Sequence, residues 1–231
     1  MGTDRSCLGG TLLKRRRRRK KPWANFLKKS GTWICLLTFL LLIFALKSNT
    51  VMRLLYPFPY REQVLYTAAQ NQVDPHLVMA VIYNESRFVE TAVSRTGALG
   101  LMQIMPETGA WIAGKIGYPE VFRNDMLFEP DVNLTLGIWY MSYLSQVFDG
   151  NITSAVAAYN AGEGVVRQWL KQGVWSGSQT DLNQIPYRET RQYVENVIKH
   201  YELYQSLYQK AVLTAEVHPK LQDFFMIHHR L

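Results

Sequence analysis

The chain has 231 residues, 48% of them hydrophobic and 19% charged, a balance that supports a real core and excludes wholesale disorder. The net charge of +8 is local: residues 1–30 hold 11 Lys/Arg and one acid, whereas residues 31–231 hold 15 and 17. A body without basic excess is poorly suited to nucleic acid, and two scattered cysteines, Cys7 and Cys35, exclude a disulfide framework or a Cys/His metal spacing.

In chain order, the first element is a basic tail whose residues 14–21 read KRRRRRKK. Lys28 and Lys29 follow, then 14 uncharged residues at 33–46. A basic segment before an apolar one has the shape of a secretory signal. The window 30–46 falls short of the ~20 residues of a full span, but Lys28, Lys29 and Lys47 can snorkel and lengthen it. The exit, FALKSNT, lacks a small-x-small cleavage site. The expectation is an uncleaved transmembrane signal anchor over residues 31–47, preferred to a cleaved signal peptide. Charge bias puts residues 1–30 in the cytoplasm and the remainder outside the membrane. No small residue precedes Cys35, which argues against a lipoprotein. A nucleic-acid-binding tail is the competing reading of the basic run, and the apolar run close behind it fits that poorly.

Residues 48–59, with Pro57 and Pro59, read as a linker. A helical pattern covers 60–72. Asp74-Pro75 is a helix start, with Asp as cap and Pro at the first helical position. The stretch 76–86 is apolar on nearly all sides, the mark of a buried central helix, and it carries Glu85 at its end. Residues 87–104, with Gly97 and Gly100, form a loop or short hairpin. Further helices start at Pro106-Glu107 and at Glu129-Pro130-Asp131, the second running to about 148. Asn151 opens another, which Gly162 and Gly164 interrupt before 165–172. Residues 173–187 are loop-like. The last helix spans 189–209, with Tyr193, Val197, Tyr201, Tyr204 and Tyr208 at helical spacing. Residues 210–231 form a tail of unassigned role; FFMI at 224–227 suggests some packing, and His228-His229 reads as a polar end rather than a metal site. No alternating strand pattern appears, so the class is all-α.

Glu85 stands out chemically. Ala80, Val81, Ile82 and Tyr83 surround it with apolar groups. A carboxyl in such a place loses hydration and its pKa rises, which keeps a general acid protonated near neutral pH.

Four blocks then occur in order: Glu85-Ser86; SRTGALGLMQIMP at 94–106; AYNAG at 158–162; and IPYRETRQYV at 185–194. Through them the sequence resembles the soluble lytic transglycosylase family, which shares a catalytic fold with goose-type lysozyme. The resemblance runs from about 60 to 208 and implies a lysozyme-like helical catalytic domain over 60–209. It implies Glu85 as the single catalytic acid/base. Ser94, Gln103, Met105, Tyr159, Asn160 and Tyr193 become candidate substrate-binding residues, and Ser86 supports the helix end. The implied substrate is the peptidoglycan glycan strand, cut at the MurNAc-GlcNAc bond without water to leave a 1,6-anhydro end. No metal and no cofactor are implied. The motif blocks offer no obvious second carboxylate: Glu90 reads as solvated, Glu189 as structural, and Glu163 is unassigned. A lysozyme-type hydrolase and a non-catalytic peptidoglycan-binding scaffold remain the alternatives. Protein partners are not legible.

Overall fold

The computed structural model describes residues 33–44, 48–118 and 121–216. The basic run, the exit from the apolar run and the end of the C-terminal tail lie outside the described residues. The chain divides into two compact units, 1–48 and 49–231. In the first, helix α1 (Trp33–Phe44) exposes every one of its side chains to its surroundings. At 1.5 Å per residue it is about 18 Å long, against about 30 Å of bilayer hydrocarbon. No single helix among the described residues is long and apolar enough to cross a membrane.

Among the described residues, the second unit contains eight further α-helices: α2 (Asn49–Leu55), α3 (Arg61–Gln70), α4 (Pro75–Glu85), α5 (Pro106–Ile116), α6 (Pro130–Val147), α7 (Ile152–Ala161), α8 (Glu163–Lys171) and α9 (Arg188–Glu216). Short 3₁₀ turns occupy Asn124–Phe128 and Gln179–Gln184. The described residues contain no β-strand, only isolated bridges from Leu99 to Val93 and Ile104. The expected all-helical class holds.

Helix α4 is the axis of the domain. Val78, Met79, Ala80, Val81 and Ile82 are completely buried, because α4 packs chiefly against α9 and also against α3. Its start is fixed by one carboxylate. Asp74 Oδ1 accepts from the His76 backbone N–H at 2.8 Å and from His76 Nδ1 at 2.7 Å. Its Oδ2 accepts from the Tyr201 hydroxyl of α9 at 2.7 Å. Burial pushes the Asp74 pKa up, but these donors outweigh it and hold the group at about 2. At the far end, Asn84 donates to the Ala80 carbonyl and contacts His200 Nδ1 at 2.9 Å, so α4 is tied to α9 at both ends.

The linker expected at 48–59 is corrected. Helix α2 fills part of it, and the segment is docked on α9. Arg53 donates to the Leu207 carbonyl at 2.7 Å, Tyr204 to the Pro57 carbonyl at 3.1 Å and Tyr208 to the Tyr56 carbonyl at 2.8 Å. The two prolines suggested an extended connection, but the carbonyls of Tyr56 and Pro57 remain acceptors, and tyrosine hydroxyls drawn out of water need acceptors. The last helix also runs past its expected end at 209, to Glu216.

The loop between α4 and α5 is held by a buried polar residue. Asn133, on the inner face of α6 and fully buried, accepts from the Met102 N–H at 2.8 Å and donates to the carbonyls of Leu99 (3.0 Å) and Leu127 (2.8 Å). Gly100 lies against this amide with φ +77°, and a Cβ there would sit 2.1 Å from the Leu127 oxygen. Glycine is required there for both conformation and space.

Candidate active site

Helix α4 ends at Glu85 because the next three residues leave helical geometry. Ser86 caps the helix with φ −131°, and Arg87 (φ 54°) and Phe88 (φ 66°) both turn left-handed. Such a conformation is costly for residues with a Cβ. The Arg87 guanidinium lies over the Tyr83 ring, 3.9 Å from its centroid, which compensates part of that cost. The Ser86 hydroxyl donates to the Leu101 carbonyl at 2.7 Å, a stronger bond than its 3.4 Å approach to Ile82 within the helix. Ser86 therefore stitches the end of α4 to the loop that forms the cleft wall.

The Glu85 carboxyl lies in a cleft of about 760 Å³. Burial raises its pKa from 4.5 to about 7, and a hydrogen bond from Tyr193 opposes that rise. The Tyr193 hydroxyl, on α9, donates to Glu85 Oε1 at 2.6 Å. Near neutral pH the group is thus split between the acid form, able to give a proton, and the carboxylate, able to take one.

The cleft brings together Glu85, Ser94, Gln103, Met105, Tyr159 and Asn160, although they span 76 residues of chain. Tyr193 is reached through its bond to Glu85. The Ser94 oxygen accepts from the Ala98 N–H at 2.9 Å and the Thr96 N–H at 3.2 Å, which holds the tight turn at Gly97. Gln103 is itself left-handed (φ 50°), and its amide nitrogen donates to the carbonyls of Gly100 (2.8 Å) and Ala92 (3.1 Å). The Tyr159 hydroxyl donates to the Met102 carbonyl at 2.9 Å, not to Glu85. Asn160 accepts from the Thr190 hydroxyl at 2.7 Å, joining the end of α7 to the start of α9.

The far wall was missed from the sequence. Pro186, Tyr187, Arg188, Glu189 and Thr190 all line the cleft, as does Thr96. Their motif was visible, but no local periodicity says that the first turn of α9 faces the end of α4. Glu189, read as structural, lies on this wall and is exposed. Glu163 is engaged elsewhere: it accepts from Tyr143 at 2.9 Å and from Arg167 at 2.7 Å. Glu90 is exposed and accepts from the Tyr60 hydroxyl.

Known proteins resemble this chain in fold and in sequence. Two solved structures are similar to it. One is an inactive Glu-to-Gln mutant of lytic transglycosylase Slt from Pseudomonas aeruginosa, with TM-score 0.61 and 36% identity over 67% of this chain and 25% of that one. The other is the 70 kDa soluble lytic transglycosylase from Escherichia coli, with TM-score 0.63 and 30% identity over the same shares. The soluble lytic murein transglycosylase of Salmonella typhimurium is 34% identical over 154 residues, 65% of this chain. The membrane-bound lytic murein transglycosylase C of Yersinia pestis is 35% identical over 118 residues, 46% of this chain and 32% of its own length. The chain spans only 23% of the length of the Salmonella relative. Residues 63–181 match the family model described as the Transglycosylase SLT domain, so the chain belongs to the Transglycosylase SLT domain family.

Proposed function

We propose that this protein is a lytic transglycosylase, cutting the β-1,4 bond between N-acetylmuramic acid and N-acetylglucosamine in peptidoglycan strands. The observation that carries the reading is Glu85: a carboxyl poised near pH 7, in an open cleft, under a tyrosine hydroxyl. The relatives named above as lytic murein transglycosylases support the substrate class.

In the proposed reaction, protonated Glu85 gives its proton to the bridging oxygen as the C1–O bond breaks. The substrate's N-acetyl group stabilises the cationic C1. The Glu85 carboxylate then takes the proton of the C6 hydroxyl of the same muramic residue, whose oxygen closes on C1. One proton leaves Glu85 and one returns, and no water is consumed. Tyr193 holds the carboxylate in place through both steps. Ser94, Gln103, Met105, Tyr159 and Asn160 line the path of the sugar chain. A hydrolase differs in needing a group to activate water, and Glu189 is the only other carboxylate among the described residues of the cleft. Its exposure favours a role at the rim over one beside the reacting carbon.

The test is digestion of peptidoglycan by the full chain, with mass spectrometry of the products before and after borohydride reduction. Non-reducible anhydro ends from the wild type and from Glu189→Gln, absent with Glu85→Gln, are expected. Reducible ends that vanish with Glu189→Gln would assign a hydrolase instead. Retained binding with no product from the wild type would leave a scaffold.

The proposal also places the chain at a bacterial membrane as a single-pass protein, residues 1–30 inside and the domain outside. The apolar run with lysines at both ends and the fully exposed face of α1 support that placement. Carbonate-resistant retention in the membrane fraction is the expected result, and release by carbonate would overturn it.

A further inference from the structure

Helix α2 reads NTVMRLL and buries none of its side chains. Leu54 is 80% exposed and Leu55 53%. Among the described residues of the second unit, they are the only exposed leucines. Val51 lies one turn before both, on the same side of the helix and only partly buried. Single apolar residues scattered over a surface need no explanation. Two adjacent leucines forgo burial that every other described leucine of the unit gains at least in part.

The position of α2 in the chain says what covers them. Only Lys47 and Ser48 stand between Leu46, the end of the apolar run, and Asn49. Even fully extended, that connection reaches about 10 Å. With the apolar run in a bilayer, α2 cannot leave the neighbourhood of the headgroup layer, which is about 6 Å deep on each side of the hydrocarbon. Taken together, α1 and α2 have the length and apolar composition of a span. Yet α2 is not the second half of one. It carries Arg53, whose guanidinium donates to the Leu207 carbonyl of α9, and the carbonyls of Tyr56 and Pro57 just beyond it accept from Tyr208 and Tyr204. Those bonds make α2 part of the folded domain. A short helix with one charge, exposed leucines and a tether of two residues fits the boundary between headgroups and acyl chains.

We infer that Leu54 and Leu55 seat the domain on the outer surface of the membrane that holds the apolar run, and so fix the height of the cleft above it. The inference rests on the membrane placement proposed above. Two leucines are too few to hold a free domain on a bilayer, but the anchor makes the contact intramolecular and keeps it populated. Along α9, Leu207 at the seat and Tyr193 at Glu85 are about 21 Å apart at 1.5 Å per residue. The cleft therefore works on strands close to the membrane rather than on distant layers of the wall.

The test uses the full chain with Cys7→Ser and Cys35→Ser, reconstituted in phosphatidylethanolamine–phosphatidylglycerol vesicles. Leu54→Cys or Leu55→Cys carries an environment-sensitive nitrobenzoxadiazole label. Quenching by lipids with a doxyl group near the headgroup, together with protection from aqueous iodide, is the expected result. A label open to iodide in a chain that resists carbonate extraction would overturn the seat and leave the anchor standing. Protection from iodide without quenching by doxyl lipid would also overturn it, by assigning the cover to protein, either the chain's own C-terminal tail or a second copy. Release of the wild type by carbonate would instead remove the placement on which the seat rests. In the unlabelled chain, Leu54→Asp combined with Leu55→Asp should keep the thermal melt and carbonate resistance of the wild type. Its cutting of membrane-attached glycan strands should fall several-fold relative to its cutting of soluble strands, and an unchanged ratio would overturn the proposal.

Discussion

Glu85 owes its chemistry to a conflict between burial and hydrogen bonding. Burial raises its pKa from 4.5 to about 7, while the Tyr193 hydroxyl favours the charged form and pulls it down. Glu85→Gln should therefore lower turnover by a factor of about 10² to 10⁴, the usual worth of a positioned acid/base, when muropeptide release is measured. The same substitution should stabilise the protein. Between pH 4.5 and about 7 the folded state holds a proton on Glu85 that the unfolded state has lost, so wild-type stability falls as pH rises through that window. Glutamine removes the penalty, and the gain above pH 7 reaches about 3 kcal/mol at most. Thermal melts at pH 5 and pH 8 should show Glu85→Gln ahead of wild type by more at pH 8. Tyr193→Phe removes the one contribution that lowers the Glu85 pKa. The alkaline limb of kcat/KM should then move to higher pH, a shift that general destabilisation would not produce.

Among the elements, the loop between α4 and α5 depends on Asn133 more than on its own sequence. Asn133→Ala would leave the Met102 N–H and the carbonyls of Leu99 and Leu127 without their partner in a buried place. The expected cost is about 3 kcal/mol by denaturant titration, since unsatisfied buried groups cost about 1–3 kcal/mol each and are not additive. Activity should fall with it, because Ser94, Gln103 and Met105 ride on that loop. Asn133 had one sequence signal, a lone amide in an otherwise apolar helix, and that signal points to burial without naming a partner. Asp74 was more legible. Its place before Pro75 marks it as a cap, yet its bond to Tyr201, 127 residues away, is visible only in the fold. Folded-state ionisation at about 2 means that its stabilising contribution is present above pH 4 and fades as pH falls toward 2. Asp74→Asn should flatten that part of the acid-unfolding curve.

At the scale of the whole molecule, the catalytic unit begins earlier than its motifs do. Contacts within the chain group 49–231 together, and the bonds from Arg53, Tyr56 and Pro57 to α9 explain why. A fragment of residues 48–231 should melt at the temperature of the full-length domain. A fragment starting at residue 60 should melt several degrees lower, because Tyr204 and Tyr208 lose their acceptors; an effect of about 1–2 kcal/mol shifts a domain of this size by that much. Equal melting temperatures would show that α2 adds nothing to the fold.

The sequence by itself determined the helical class, the central apolar helix with its terminal glutamate, and the family to which the chain belongs. Those features are carried by local patterns: apolar periodicity, capping residues, and short motifs of adjacent residues. Only the tertiary structure decided that Tyr193 bonds Glu85 while Tyr159 bonds the Met102 carbonyl, that the first turn of α9 forms the far wall, and that 48–59 is docked on α9. It also decided that Trp111 joins Trp139 and Tyr143. Each of these joins residues 28 to 155 positions apart. Such pairings follow from how helices pack in three dimensions, and linear spacing does not encode which faces meet.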